Sequence, residues 1–91
     1  MFERVRRGPQ VTINRAFAIA RAQGPESGLS LLEGIAEDEP FLAVVRGVLY
    51  WEAGRFAEAI AELEHARTSA RNIHEVAQID AHIERVNADR A

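Results

Sequence analysis

The sequence predicts an all-α fold, an array of antiparallel helical hairpins, and three observations carry that expectation. Apolar residues recur at helical spacing nearly throughout, and no stretch alternates with period two as a strand would. Helix stop and start signals break the chain at short intervals, at Gly24-Pro25, Asp38-Glu39-Pro40, Gly54-Arg55 and Asn72. Connections this short leave successive helices no path except antiparallel packing beside one another.

Ile13, Ala16, Phe17 and Ala20 follow the i, i+3, i+4, i+7 pattern of one face of a first helix. Gly24 stops it, because glycine tolerates the left-handed conformation past a helix end, and Pro25 suits the first position of the next. Leu29, Leu32 and Ile35 or Ala36 then give the face of a short second helix. Gly28 and Gly34 weaken it by about 1 kcal/mol each relative to alanine, so packing must hold it. Asp38-Glu39-Pro40 places acids at the positive end of a third helix, about Pro40 to Ala53. Phe41, Leu42, Val44, Val45, Val48, Leu49, Tyr50 and Trp51 make this helix apolar on most sides, the mark of a central element packed from several flanks. Gly54-Arg55 ends it, and Phe56, Ala59, Ile60, Leu63 and Ala66 line a fourth helix. Asn72 caps a fifth, with Glu75 as the reciprocal half of a capping box. Its face is Val76, Ile79, Ile83 and Val86, with Ile73 at its start. That 3-4-3 spacing is also a coiled-coil seam, but two heptads are too few for an independent dimer, so the helix is expected to close the open end of the array.

Ninety-one residues make one domain, expected over residues 9–89 behind a basic lead-in at 1–8, and 47% hydrophobic with 27% charged residues is the balance of a folded chain. There is no cysteine, and all eleven basic residues are arginine. These counts exclude a disulfide scaffold, a cysteine-ligated zinc module, a thiol catalyst, a P-loop lysine and a Schiff-base lysine. A net charge of −3 argues against wholesale nucleic-acid binding. Residues 1–24 hold five Arg against one Glu, while residues 25–91 hold six Arg against thirteen acids, a lopsided charge that a partner could use for orientation. The longest apolar stretch, Phe41 to Val45, is far short of the roughly 20 residues of a membrane span, and no targeting segment is visible, so a cytoplasmic location is expected.

The segment from Gly47 to Ala59 resembles the tetratricopeptide repeat: Gly47, Tyr50, Gly54 and Ala59 stand at that pattern's small, aromatic, glycine and alanine positions, with Ala66 at its second small position. The first hairpin fits less well, since aligning Gly24 with Gly54 gives a spacing of 30 residues where the repeat has about 34. The resemblance implies about two repeats plus a C-terminal capping helix.

A second resemblance spans roughly residues 9–89 and rests on the ordered run Thr12 to Ala20, Gly24-Pro25, Gly28-Leu29, Gly54-Arg55 with Glu58-Ala59, and Asn72 with Glu75. This order is similar to the C-terminal helical extension of a subgroup of extracytoplasmic-function (ECF) sigma factors. Ile13 stands where that family has leucine, and Phe17 where it has a smaller apolar residue. The two domains by which such factors grip RNA polymerase and promoter DNA have no room in 91 residues. The chain therefore corresponds either to the extension alone or to a free-standing relative.

Candidate chemistry is sparse. Glu62 and His65 form the Glu-x-x-His spacing of di-iron bundles, but no second copy exists, and His74 and His82 stand eight apart, too far to share an ion. Ser27, Ser30 and Ser69 sit in no nucleophile elbow, and Gly24 and Gly28 follow a helix rather than a strand. No enzyme, metal or cofactor is expected. In tetratricopeptide arrays the first helix of each hairpin lines a concave face, and carrying that register over selects Val11, Asn14, Ala18 and Arg21, then Phe41, Val44, Val48, Trp51 and Glu52. Of these, Phe41, Val44 and Val48 read first as core, and Trp51 reads equally as core or groove. Asn14 could hold a peptide backbone, Arg21 a carboxylate, and Trp51 could anchor a partner, making Asn14, Arg21, Trp51 and Glu52 the candidate groove. The expected function is a non-catalytic interaction domain that tunes a sigma factor by contacting its core domains, RNA polymerase or another regulatory protein. The alternatives are an adaptor that binds a peptide or partner helix without any link to transcription, and a small metal protein using Glu62 and His65.

Overall fold

The computed structural model describes residues 9–35 and 41–90. They form five helices and no strands: α1 Pro9–Gln23, α2 Pro25–Leu32, α3 Leu42–Glu52, α4 Phe56–Thr68 and α5 Ile73–Arg90. Each helix packs chiefly on the next in sequence, with smaller contacts of α3 to α1 and to α5. The molecule measures 51 × 33 × 17 Å, two helices deep, since packed helix axes lie about 8–10 Å apart.

The junctions follow local chemistry. Gly24 has φ 108°, and Pro25 opens α2 directly behind it, so a single residue turns the chain. At the end of α3, Gly54 has φ 78°, the Arg55 amide donates to the Tyr50 carbonyl (2.8 Å) and the Gly54 amide to that of Trp51 (3.0 Å). This is a Schellman closure, which satisfies helix-end carbonyls that would otherwise lack a donor. Before α5, Asn72 Oδ1 accepts from the Glu75 amide at 3.0 Å, as expected of an N-cap. Glu75 reaches one residue further than the capping box predicts and accepts from the Arg71 amide, also at 3.0 Å.

Two elements differ from expectation. The second helix ends at Leu32, and Ile35 packs against the core from beyond it. The third begins at Leu42, because Phe41 takes a left-handed conformation (φ 71°) outside the helix. The expected Asp38-Glu39-Pro40 start, Ala36, and the lead-in at 1–8 lie outside the described residues.

The core divides around α3. On one side Leu42, Val45 and Leu49 join Ile13, Ala16 and Ala20 of α1 and Leu29 and Leu32 of α2. On the other, Ala43, Val44 and Trp51 pack on Ala59, Leu63 and Ala66 of α4 and Ile79 and Val86 of α5, while Tyr50 touches both clusters. The expectation of a central third helix agrees with this packing. Of the apolar seam of α5, Ile79, Ile83 and Val86 pack within the second cluster, whereas Ile73, expected at the start of that face, is 77% exposed.

Two glycines decide how close the helices come. A Cβ on Gly28 would stand 2.6 Å from the Ala16 carbonyl oxygen, and one on Gly47 would stand 2.8 Å from Leu63 Cγ. Gly28 therefore answers a packing demand, and the helix propensity it forfeits is returned as contact area. Gly28→Ala is expected to destabilise the fold by about 1–3 kcal/mol through overpacking against backbone. Gly34→Ala, where an added Cβ meets nothing within 4 Å, is expected to be neutral or slightly stabilising. Thermal melting of the two variants beside the wild type checks the contrast, and equal melting temperatures would contradict it.

Candidate functional site

Helical spacing gives α3 a narrow solvent-facing ridge between its two packed sides. Val48 and Glu52 fall within about 40° of one another at 100° per residue, Phe41 stands just before the helix and is 60% exposed, and Val48 belongs to neither core cluster. Val44 lies beside this line and is half-buried against the second cluster. The three positions read first as core thus divide: Val44 and Val48 are partly buried, but Phe41 is exposed, because its left-handed backbone places it outside α3.

The structure brings two of the four candidate residues into contact. Arg21 Nη1, near the end of α1, donates to Glu52 Oε1 at the end of α3 at 2.8 Å. Arg21 remains 63% exposed in this pair, so the contact itself is worth about 0–1 kcal/mol. Its value is positional, since it shows which edge of α1 faces the ridge. Asn14, two turns earlier on the same edge, is exposed and does not touch the pair. Trp51 is half-buried, with its ring against the second cluster and its indole N–H donated to Asp89 of α5.

Asp89 was not legible as a site residue from the sequence, where only a polar stripe on α5 hinted at it. Gln78, His82, Arg85 and Asp89 recur at i, i+4, i+7 and i+11, so they share one edge of α5. The bond from Trp51 turns that edge toward α3. Three helices therefore contribute to one face: the Asn14 and Arg21 edge of α1, the ridge of α3, and the Gln78 to Asp89 edge of α5.

A second cluster of charge lies at the starts of α2 and α4, just past the turns that follow α1 and α3. Arg55 donates from Nε and Nη2 to Glu58 (2.7 and 2.6 Å) and from Nη1 to Glu26 (2.9 and 3.1 Å), with its guanidinium carbon 4.7 Å from the Tyr50 ring centroid. Donating to Glu58 first and Glu26 second raises the Arg55 pKa, and accepting from Arg55 lowers that of Glu58. Arg55 also borders a cleft of about 230 Å³ with Glu26, Leu29, Ser30, Leu32, Glu33, Arg46, Tyr50 and Glu62. Arg46 pairs there with Glu62 at 3.1 Å, at side-chain exposures of only 18% and 22%. The cleft neutralises its own cations, and among the described residues no group of three metal-ligand side chains forms. Glu62 is committed to Arg46 while His65 is exposed, so the Glu62 and His65 spacing gathers no further ligands. No described helix is long and apolar enough to cross a membrane.

No protein-family profile matches this chain, and no solved structure matches it significantly. Over 98% of its length the chain is 33% identical to an uncharacterized protein of Rhizobium meliloti (strain 1021). It spans 22% of that protein's length.

The Arg55–Glu58 bond gives a pH dependence of definite sign. Glu58 titrates lower in the folded chain than unfolded. Its contribution is therefore complete above the unfolded value and is lost as pH falls through the folded one. Relative to Glu58→Gln, the wild type should melt higher at neutral pH, and the gap should close between about pH 5 and pH 3. Melting both proteins across that range checks this, and a gap independent of pH would contradict it.

Proposed function

We propose that this chain is a non-catalytic protein-interaction domain of tetratricopeptide-like architecture, working in the cytoplasm as the regulatory extension of an ECF-type sigma factor. The observation that carries the architectural part is the meeting of like helix ends. Arg21–Glu52 and Trp51–Asp89 join the C-terminal ends of α1, α3 and α5, and Glu26–Arg55–Glu58 joins the starts of α2 and α4. Alternate helices that point the same way, joined by connections as short as one residue, are what stacked antiparallel hairpins require.

Three considerations support an interaction role. The face along α1, α3 and α5 combines an exposed aromatic ring, aliphatic side chains and hydrogen-bonding groups, the composition of a binding surface. The charged cleft keeps its guanidinium groups in internal pairs. The Rhizobium meliloti relative is several times longer than the matched segment, which fits a module serving a larger protein. The link to transcription rests on the ordered motifs from Thr12 to Glu75. An adaptor for a peptide or partner helix, with no part in transcription, would present the same face.

The test is titration of this chain against separately produced core domains of an ECF sigma factor from the same genome, read by calorimetry. Saturable binding is expected, weakened about 5–30-fold in Arg21→Ala, the span of a contact worth about 1–2 kcal/mol. Asn14→Ala should act in the same direction. Circular dichroism should show both variants folded, because both residues are exposed. Trp51→Ala is unsuited to this purpose, since it would also open the second core cluster. Absence of binding to the sigma domains would remove the transcriptional role.

A further inference from the structure

The helix array has two outer sides that the chain itself does not cover. α1 packs on α2 and α3, α5 packs on α4 and α3, and the two end helices do not touch each other. On α1, the side opposite the buried Ile13, Ala16 and Ala20 carries Val11, Arg15, Ala18 and Ala22, all exposed. On α5, the side opposite Ile79, Ile83 and Val86 carries Ala77, Ala81, Glu84 and Ala88, also all exposed. Both rows step by four, three and four residues. Laid antiparallel they match position by position: Val11 on Ala88, Arg15 on Glu84, Ala18 on Ala81 and Ala22 on Ala77.

Charge agrees with this register. α1 contains Arg15 and Arg21 and no acid, whereas α5 contains Glu75, Asp80, Glu84 and Asp89 against Arg85 and Arg90. Arg21 is held by Glu52, and Asp80 by Arg67. Arg85 is balanced by Asp89 at i+4 on its own edge, since accepting from the neutral Trp51 indole leaves that carboxylate charged. No ion pair among the described residues holds Arg15 or Glu84. Each outer row therefore carries one charge of its own, positive on α1 and negative on α5.

We infer that α1 of one copy of this chain packs antiparallel on α5 of a second copy, with Arg15 of the first on Glu84 of the second. Alanine facing alanine lets the two axes approach to about 8 Å, and the charged pair sits inside the row it aligns. The contacts of α1 on α1 and of α5 on α5 have the same spacing. They set Arg15 one turn from its own copy, or Glu84 one turn from its own, so like charges oppose them. A parallel contact of α1 on α5 would place an alanine opposite each charge. Because the two rows lie on different helices, the contact is head-to-tail, and copies add in a line unless the rotation closes a ring. It joins two helix faces only, which places it among small, weak interfaces. The inference concerns the outer sides of α1 and α5 and does not depend on what their shared face with α3 binds.

Sedimentation equilibrium of the full chain from about 20 μM to 1 mM tests this, the range in which small interfaces assemble. The average mass should rise above that of the monomer as concentration increases. Arg15→Glu and Glu84→Arg should each weaken association at least about tenfold, by setting like charges face to face. An equimolar mixture of these two variants should restore it, because the altered rows then match each other and so do the unaltered ones. Ala81→Gln should also weaken association, by holding the axes apart. All three positions are exposed, so the variants should melt like the wild type. A chain monomeric at every concentration, association indifferent to either charge reversal, or a mixture no more associated than its components would each overturn the inference. Association removed by Val48→Glu and unchanged by Arg15→Glu would place the contact on the face shared with α3, and would overturn it equally.

Discussion

Everything in this molecule depends on α3 being packed on two sides at once. A helix of eleven residues is marginal alone in water, since nucleation costs more than a few hydrogen bonds return. Here it separates two core clusters, with Leu42, Val45 and Leu49 on one and Ala43, Val44 and Trp51 on the other. Gly47 lets Leu63 of α4 approach α3 closely, and Gly28 does the same for α2 against Ala16 of α1. The small residues bring large ones into dispersion contact, and Leu32, Leu42, Leu49, Leu63 and Val86 are fully buried as a result.

The same double burial shapes the candidate site. With two flanks committed to packing, α3 shows solvent only a ridge, and the exposed parts of α1 and α5 flank it. Polar pairs at the helix ends fix the register without adding much stability, because most are exposed. Trp51 belongs to both systems, since its ring packs in the second cluster and its N–H holds Asp89. It is thus a support of the face as well as part of it. Phe41 stands apart, held at φ 71° and 60% exposed. For a bulky side chain that conformation is unusual and costs about 1–3 kcal/mol. An exposed ring in a strained backbone conformation is the kind of feature that sites carry.

Much of the fold was legible because helix signals are local. Gly54 sits in the turn its residue type announces, and Asn72 caps α5 through the side-chain oxygen expected of it. The apolar face of α1 is buried at Ile13, Ala16 and Ala20. Legibility failed where a residue answers to a distant neighbour. Gly28 reads as a weak point until Ala16 is seen against it. Glu75 reads as half of a capping box, yet its carboxylate takes the Arg71 amide. Asn14, Arg21, Trp51 and Glu52 followed from repeat register, but no spacing rule pairs Arg21 with Glu52 at 31 residues or Trp51 with Asp89 at 38.

The sequence by itself determined the helical class, the number and order of the helices, most of their buried faces and the absence of cysteine and lysine chemistry. Those properties depend on residue type and on spacings of three or four, which a chain carries before it folds. The tertiary structure decided which charged groups are spent on one another, which valines remain partly open, and that α5 supplies an edge to the face of α1 and α3. Those outcomes depend on distances between helices, which are set only when the glycines and alanines have let the leucines meet.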